Sequence, residues 1–198
     1  MRTLLPAVLW FGCAMTSSLS AQWYVRADLA TARYGGTAHD TSGSHTTPEG
    51  GPVGGPGIAV GAERRWLHAG LAVRVGYANP GFAVRGSGLN ITDKTTGTLI
   101  EASTLVSTRV GGIGPSGAVW VEVGPALHLW DYSGEMRTRI GGIAAASYEW
   151  PVTRRLLGSV RLDGMLSPSW FEASDLPPEF ERRVTWRYGV GLGLHWRL

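Results

Sequence analysis

Cysteine, lysine and long apolar runs are all scarce in this chain of 198 residues. The single cysteine, Cys13, excludes a disulfide framework, an iron–sulfur centre and a cysteine-based zinc site. No apolar run reaches about 18 residues, which excludes a bundle of membrane-spanning helices. Lys94 is the only lysine, and the arginines are interspersed with carboxylates to a net charge of +3, so no nucleic-acid partner is predicted. Glycine, by contrast, is abundant: its 29 residues are about twice the average share.

The first 21 residues have the layout of a secretory signal peptide. An arginine follows the initial methionine, Leu4 to Met15 is an apolar stretch, and a run of small residues ends at Ala21. We therefore predict a signal peptide over residues 1–21, which leaves residues 22–198 as a single domain without cysteine, as suits export into an oxidising compartment. A lipoprotein acylated at Cys13 is the alternative, although the three residues before it lack the pattern of such a site.

The residues that follow alternate with a period of two between apolar side chains and small or polar ones. In the last segment Trp186, Tyr188 and Val190 share one face, whereas Arg187 and Gly189 share the other. Strict alternation over so many residues excludes a helix and predicts a long β-strand. Eight segments of this kind are predicted as strands: 22–34, 57–63, 67–78, 98–110, 118–130, 137–150, 155–166 and 184–198.

Two of these segments are irregular. Leu99 and Leu105 fall on the polar face of the fourth segment. Pro125 lies inside the fifth, where it removes a ladder hydrogen bond unless a bulge accommodates it. Both features count lightly against the strand pattern.

The connections between the segments alternate in length. Short gaps follow the second, fourth and sixth segments, and mostly long ones follow the others, at 35–56, 79–97, 131–136 and 167–183. A meander with short turns at one end and long loops at the other is typical of up-and-down barrels of the outer membrane. We therefore predict an all-β fold: an eight-stranded antiparallel up-and-down transmembrane β-barrel.

The content of the polar face distinguishes a membrane barrel from a soluble one. Between glycines and alanines this face carries seven arginines and six carboxylates, whereas the opposite face has no charge in the middle of any strand. A charge on the lipid side would cost about 2–4 kcal/mol at the bilayer midplane, and buried charges need partners. We therefore predict a narrow lumen closed by ion pairs among these thirteen side chains: Arg26, Asp28, Glu63, Arg74, Glu101, Arg109, Glu122, Arg137, Arg139, Glu149, Arg161, Asp163 and Arg187.

Aromatic residues gather near the ends of the predicted strands, as expected for girdles at the two membrane surfaces. The short-turn end has Trp23, Trp66, Tyr148, Trp150 and Trp196. The long-loop end has Tyr34, Tyr77, Trp130, Tyr132, Trp170 and Trp186.

With these features together, residues 22–198 resemble the small eight-stranded outer-membrane barrels of the OmpA/OmpX type. The resemblance rests on the signal peptide, the eight strands, the turn at 150–155 and the closing strand from Arg187 to Leu194. That strand is similar to the C-terminal signal read by the outer-membrane insertion machinery, although the chain ends in Leu198 rather than phenylalanine or tryptophan. The resemblance implies a monomer in the outer membrane of a Gram-negative bacterium, with both termini periplasmic. Its partners would be membrane lipid, lipopolysaccharide and, during biogenesis, the insertion machinery.

Residues able to carry chemistry are gathered in two of the long loops. His39, Asp40, Ser42, Ser44 and His45 could supply a base, an orienting carboxylate and a nucleophile, but loops of this composition are also common for solubility alone. The loop at 167–183 has four carboxylates that could collect a calcium ion but more simply form a solvated acidic surface: Glu172, Asp175, Glu179 and Glu181. We predict no catalytic, cofactor or metal site. The two arginines that follow at the rim are predicted contacts for lipopolysaccharide phosphates: Arg182 and Arg183.

The predicted function is therefore structural or interactive. We expect a role in adhesion or envelope integrity, without enzymatic activity or cofactor, carried by the loops at 35–56, 79–97 and 167–183. The alternatives are a lipid A-modifying enzyme, a narrow pore and a soluble periplasmic barrel. The enzyme is disfavoured because the chain lacks the His-x-Ser sequence of the deacylase type. It also leaves no room, after the predicted cleavage, for the helix that precedes the barrel in the palmitoyltransferase type.

Overall fold

The computed structural model describes residues 21–36, 38–40, 49–86, 89–93, 97–132, 134–175, 178 and 180–198. The signal peptide predicted for residues 1–21 lies outside the described residues except for Ala21, and so do Ser42, Ser44 and His45. Eight long strands form the body of the fold: β1 (Gln22–Gly35), β2 (Gly54–Arg65), β3 (Ala69–Ala78), β4 (Thr98–Gly111), β5 (Ala118–Tyr132), β6 (Glu135–Pro151), β7 (Leu156–Ser167) and β8 (Thr185–Arg197).

The eight strands form a closed barrel. Each strand pairs antiparallel with the next along the chain, and β8 pairs with β1 to complete the cylinder, for example at Leu29↔Leu192. The predicted antiparallel barrel and its strand order are confirmed, and no strand boundary differs from the prediction by more than three residues. The only helical turn in the described part of the chain is Ala173–Asp175, so those residues include no helix long and apolar enough to cross a membrane.

The alternation of the sequence becomes an inside and an outside of the barrel, because successive side chains of a strand point to opposite faces. In β4, the residues Leu99, Glu101, Ser103, Leu105 and Ser107 are all buried, while their neighbours face outward. The two leucines that interrupted the polar pattern therefore lie in the lumen. Leu105 belongs to an apolar layer that crosses the barrel interior with Ala72, Ala126, Ile143 and Met165.

Pro125 is accommodated without a bulge. The register of β4 with β5 is the same on both sides of it, but in this described part of the wall the two β4 residues between Ser103 and Val106 pair only with β3 and have no partner in β5. A proline has no N–H to donate, so the ladder is interrupted for two residues and then continues. At the interruption Gly124 lies so close to β4 that a Cβ on it would overlap the carbonyl oxygen of Thr104.

Gly124→Ala is therefore expected to destabilise the barrel by about 1–3 kcal/mol, because the added methyl group can be accommodated only if the backbone moves. The measurement is equilibrium unfolding in urea of the protein folded into lipid vesicles. Gly142→Ala is the matched control on the neighbouring strand, where a Cβ would meet nothing within 4 Å. Equal stability of the two variants would contradict the close approach of β4 and β5.

The long loops form a second, smaller sheet that the sequence did not predict. Its five strands pair antiparallel in the order Phe180–Arg182, Ala38–Asp40, Glu49–Pro52, Phe82–Gly86 and Leu89–Asp93. Three loops that are far apart in the sequence thus share one hydrogen-bonded layer, which we call the loop sheet. Pairing satisfies backbone groups that would otherwise need water.

An aromatic plug lies between the loop sheet and the lumen. Trp170 is buried and its ring centroid lies 4.5 Å from that of Tyr132 and 5.7 Å from that of Phe82. Below them Trp170 packs with Leu99 and Trp130. Four residues assigned to an outer girdle therefore close the barrel from the inside instead, and that assignment is corrected: Tyr34, Trp130, Tyr132 and Trp170. The exposed aromatic residues at this end include Tyr77, Trp186 and Tyr188.

Candidate functional site

The barrel has its apolar side chains outside and its charged side chains inside, which is the reverse of a water-soluble protein. Each strand exposes large apolar side chains on the outer wall, for example Leu29, Val60, Val73, Val106, Val123, Ile140, Leu162 and Leu192. Ten of the thirteen charged residues predicted for the lumen are buried inside: Arg26, Asp28, Glu63, Arg74, Glu101, Glu122, Glu149, Arg161, Asp163 and Arg187. A pathway through the barrel, or a polar site within it, would therefore lie in the lumen.

Glu122 occupies the centre of the lumen. Nη1 of Arg26 donates to one of its carboxylate oxygens at 2.8 Å, and Nη1 of Arg161 donates to the other. Arg26 also lies 3.6 Å from Glu63, the next carboxylate towards the short turns. One carboxylate on β5 thus holds two guanidinium groups that come from β1 and β7, across the lumen from it.

Glu101 forms a second ionic layer towards the loops. Arg187 donates to one of its oxygens at 2.8 Å and Arg74 to the other at 3.2 Å. Arg187 also donates to Asp163 at 3.1 Å, and Arg74 approaches Asp28 at 3.3 Å. These contacts join β1, β3, β4, β7 and β8 across the lumen. The cavity left beside this layer has a volume of about 50 Å³, which is room for a few water molecules.

Arg65 seals the short-turn end, and the sequence analysis missed it because the second predicted strand stopped at Glu63. Its guanidinium donates to Glu63 and to Glu149, each at 2.7 Å. The same group lies 4.8 Å from the ring centroid of Tyr24 and 4.5 Å from that of Trp120. Two aromatic rings and two carboxylates therefore fix this arginine in the mouth of the barrel.

Two buried histidines complete the network. Nε2 of His128 lies 3.2 Å from Glu101, and Nδ1 of His195 lies 3.1 Å from Glu149. Nε2 of His195 is also 3.3 Å from the hydroxyl of Ser159. Both histidines were on the predicted polar face, but no partner was assigned to them. Each histidine therefore adds a polar contact at one level of the lumen: His128 in the ionic layer towards the loops, and His195 beside the carboxylate that pairs with Arg65.

The prediction for Arg109 is corrected. Its side chain is exposed, although Ser107 two residues earlier is buried. The physical reason is that β3 begins only at Ala69, opposite Thr108, so Arg109 lies beyond the last β4 residue that pairs with β3 and is at the open mouth of the barrel. Arg109 instead lies at the rim of a depression of about 480 Å³ at the short-turn mouth.

The prediction that Arg137 and Arg139 lie in the lumen is also corrected, because both residues lie at the loop end above it. Arg137 pairs with Asp175, and its Nη1 also donates to the carbonyl of Trp170 at 3.3 Å. Arg139 donates to the carbonyls of Ser169 and Trp170 at 2.8 and 3.0 Å. Strand β6 extends beyond the barrel wall, so these two arginines hold the loop that follows β7 rather than the interior.

Asp175 makes this loop contact dependent on pH. Its hydrogen bond from Arg137, and a second one from the backbone N–H of Glu172, lower the pKa of the Asp175 carboxyl below its ordinary value. Because the folded pKa is lowered, the contact stabilises the loop at neutral pH and is lost as the pH falls through that pKa. Arg137 side-chain signals in NMR spectra should shift with a midpoint below the ordinary aspartate pKa of about 3.9. Because Glu135 also pairs with Arg137, the comparison is made in a Glu135→Gln background. There Asp175→Asn should abolish the transition, and a transition that persists would contradict the assignment.

The remaining residues that the sequence analysis singled out lie at the surface or outside the described part of the chain. Arg182 and Arg183 are exposed at the rim before β8. His39 and Asp40 belong to a strand of the loop sheet. No group of three or more histidine, cysteine, aspartate or glutamate side chains in the described ranges is arranged to hold a metal ion.

The closed meander of eight strands, with an apolar outside and a charged inside, is the fold of the small outer-membrane β-barrels. Solved structures of such barrels are similar to the chain, and two of them serve as examples. Neisserial surface protein A matches with a TM-score of 0.60 at 14% identity, covering 90% of this chain and 99% of its own. The outer membrane protein OprG from Pseudomonas aeruginosa matches with a TM-score of 0.59 at 10% identity, covering 90% of this chain and 97% of its own. No family model and no curated protein matches the sequence.

Proposed function

We propose that the protein is a monomeric outer-membrane barrel with a sealed lumen, and that it acts at the cell surface through its loop sheet, in adhesion or in maintaining the envelope. The observation that carries the proposal is the combination of an apolar outer wall with two closures of the interior. Arg65 and its partners close the short-turn end, and the aromatic plug under the loop sheet closes the other. Such a barrel has a rigid scaffold at membrane depth and a shaped surface only at its loop end.

The positions of the chain ends and the loops support an orientation in the membrane. The N–H of Leu198 donates to the carbonyl of Trp23 at 3.0 Å, so both described ends lie together with the short turns. Short turns face the periplasm and longer loops face outward in barrels of this kind. We propose that both termini are periplasmic, that the loop sheet is extracellular, and that the insertion machinery is met during biogenesis.

The first experiment is electrophoresis of outer-membrane fractions in SDS, heated against unheated. A folded membrane barrel resists SDS and migrates differently until it is boiled, so a heat-dependent shift is expected. Absence of the protein from that fraction, or an unchanged mobility, would contradict the membrane assignment and favour a soluble periplasmic barrel.

The sealed lumen and the absence of enzymatic activity are tested separately. Planar-bilayer recordings of the purified protein should show no steady conductance, because polar contacts and aromatic side chains fill the path between the two mouths. Mass spectra of lipid A from cells with and without the gene should have the same acyl pattern. A stable conductance would support the narrow pore instead, and an altered acyl pattern would support the lipid A-modifying enzyme.

A further inference from the structure

A recess of about 1000 Å³ opens beside the loop end of the barrel, where β1 ends and β8 begins. Three arginines line it: Arg33 at the end of β1, and Arg182 and Arg183 immediately before β8. The same recess is lined by Trp186 and Tyr188 from the outer face of β8. Sequence analysis singled out the two consecutive arginines but not Arg33, which is distant from them in the chain.

The backbone brings these residues together. Arg33 lies directly opposite Tyr188 in the pairing of β1 with β8, and Arg182 is paired with Ala38 in the loop sheet. Between them Gly36 has a φ of 79°, and a Cβ at that position would overlap the carbonyl oxygen of Val184. The recess is thus held by two sheets and by a close backbone approach that only glycine permits.

The arginines of the recess differ from those of the lumen in their electrostatic environment. In the lumen, Arg26, Arg65, Arg74, Arg161 and Arg187 each face at least one carboxylate. Within the described part of the chain, none of the three recess arginines forms an ion pair. Three guanidinium groups around one recess attract an anion, and phosphate oxygens suit their bidentate geometry.

The wall below the arginines is apolar. The rings of Trp186 and Tyr188 are stacked, with centroids 5.5 Å apart and an interplanar angle of 12°. Further along the same face of β8, Leu192 and Leu194 are exposed on the side that faces the hydrocarbon. A small soluble anion would use the arginines alone, whereas a lipid would use the arginines for its headgroup and this wall for its chains.

We propose that the recess binds the phosphorylated headgroup of a glycolipid of the lipid A class, with its phosphates held by Arg33, Arg182 and Arg183. The acyl chains then lie along the outer face of β8. This inference rests on the proposed function, because it requires the loop end to face the outer leaflet.

The test is native mass spectrometry of the folded full chain released from detergent micelles that contain lipid A. The triple variant Arg33→Ala, Arg182→Ala, Arg183→Ala should bind lipid A on the order of a hundredfold more weakly, since each arginine near such a surface contributes about a fivefold factor. The matched control removes three exposed arginines from the short-turn end: Arg64→Ala, Arg154→Ala, Arg155→Ala. It carries the same change of charge and should bind nearly as well as the unchanged chain.

Three results would overturn the inference. An equal loss in the control triple would show that only net charge matters. Undiminished binding of lipid A from which both phosphates have been removed would show that phosphate is not recognised. Complete displacement of the lipid by millimolar inorganic phosphate would assign the arginines to a soluble anion.

The same samples are run heated and unheated in SDS gels. A normal heat-dependent shift without lipid binding overturns this inference alone, whereas loss of the shift in the unchanged chain overturns the proposed function.

Discussion

Glu122→Ala is expected to lower the free energy of unfolding of the barrel by about 3–5 kcal/mol, which is the usual effect of breaking a buried ion pair by removing one partner. The carboxylate is fully buried and receives hydrogen bonds from both Arg26 and Arg161. Arg26 keeps carboxylates at 3.6 and 3.8 Å after the substitution, but Glu122 is the only carboxylate within 4 Å of Arg161 in the described part of the chain. The loss therefore comes mainly from a guanidinium left buried without a partner.

The measurement is denaturant unfolding in lipid vesicles, followed by tryptophan fluorescence. Glu135→Ala is the control: it also removes a carboxylate from an arginine pair, with Arg137, but its side chain is 69% exposed, so a change of about 0–1 kcal/mol is expected. Adding Arg161→Met to Glu122→Ala should restore part of the stability, because the orphaned charge is then gone. Equal stability of Glu122→Ala and the unchanged barrel would contradict the ion-paired lumen.

Trp170→Ala is expected to weaken the attachment of the loops by about 3–5 kcal/mol while leaving the barrel itself folded, because a large buried ring is removed without a replacement. The ring joins Phe82 of one loop to Tyr132 and Phe171 of two others. The guanidinium of Arg137 also lies 5.6 Å from its centroid. The ring is therefore one of the aromatic contacts that hold the loop sheet on the barrel, beside the direct contact of Phe82 with Tyr132 at 5.2 Å.

Hydrogen exchange followed by mass spectrometry tests this directly. Peptides from the loops at 79–97 and 167–183 should exchange at least a hundredfold faster in the variant, whereas peptides from the barrel strands should stay protected. Trp23→Ala removes an exposed tryptophan from the opposite end and should leave loop exchange unchanged. The variant should also show no conductance, since Arg65 and the ionic layers still fill the lumen. Unchanged loop exchange would contradict the plug.

The barrel could be predicted almost completely from the sequence, because a period of two directly encodes which side of a wall each residue faces. The loop sheet could not. Its strands are three to five residues long and include Glu49–Pro52, two of whose four residues are glycine, so neither alternation nor β-propensity marks them. They form because the barrel brings the loops together. Leu99 and Leu105 show the other limit: a polar-only lumen was assumed, and the real one also has apolar layers.

The charged residues were predicted as a set but not as pairs. The alternation predicts that Glu101 and Glu122 face the lumen. Whether each carboxylate contacts one arginine or several depends on the tilt and stagger of the strands, which cannot be read from a single sequence. Arg65 was missed because the segment of two adjacent arginines and a tryptophan was interpreted as a turn rather than as the end of β2. Arg137 was predicted in the lumen, whereas it lies at the loop end of the barrel. The acidic residues of the loop at 167–183 could have indicated that position, because they are the partners available to an arginine at that end.

The seam between β1 and β8 has a consequence for assembly. Its partners, such as Leu29 and Leu192, are separated by most of the chain, so this pairing carries the largest loop-closure entropy in the barrel. Yet around the middle of the seam each lumen-facing residue of β1 lies opposite a glycine: Asp28 opposite Gly193, Ala30 opposite Gly191 and Ala32 opposite Gly189. The strand pairing that is slowest to form is therefore also one that has only glycines on the lumen side of β8 in its middle. The middle of the seam can therefore close by backbone pairing, whereas the charged and aromatic side chains that have to match lie nearer its ends, at Arg26 opposite His195 and Tyr34 opposite Arg187.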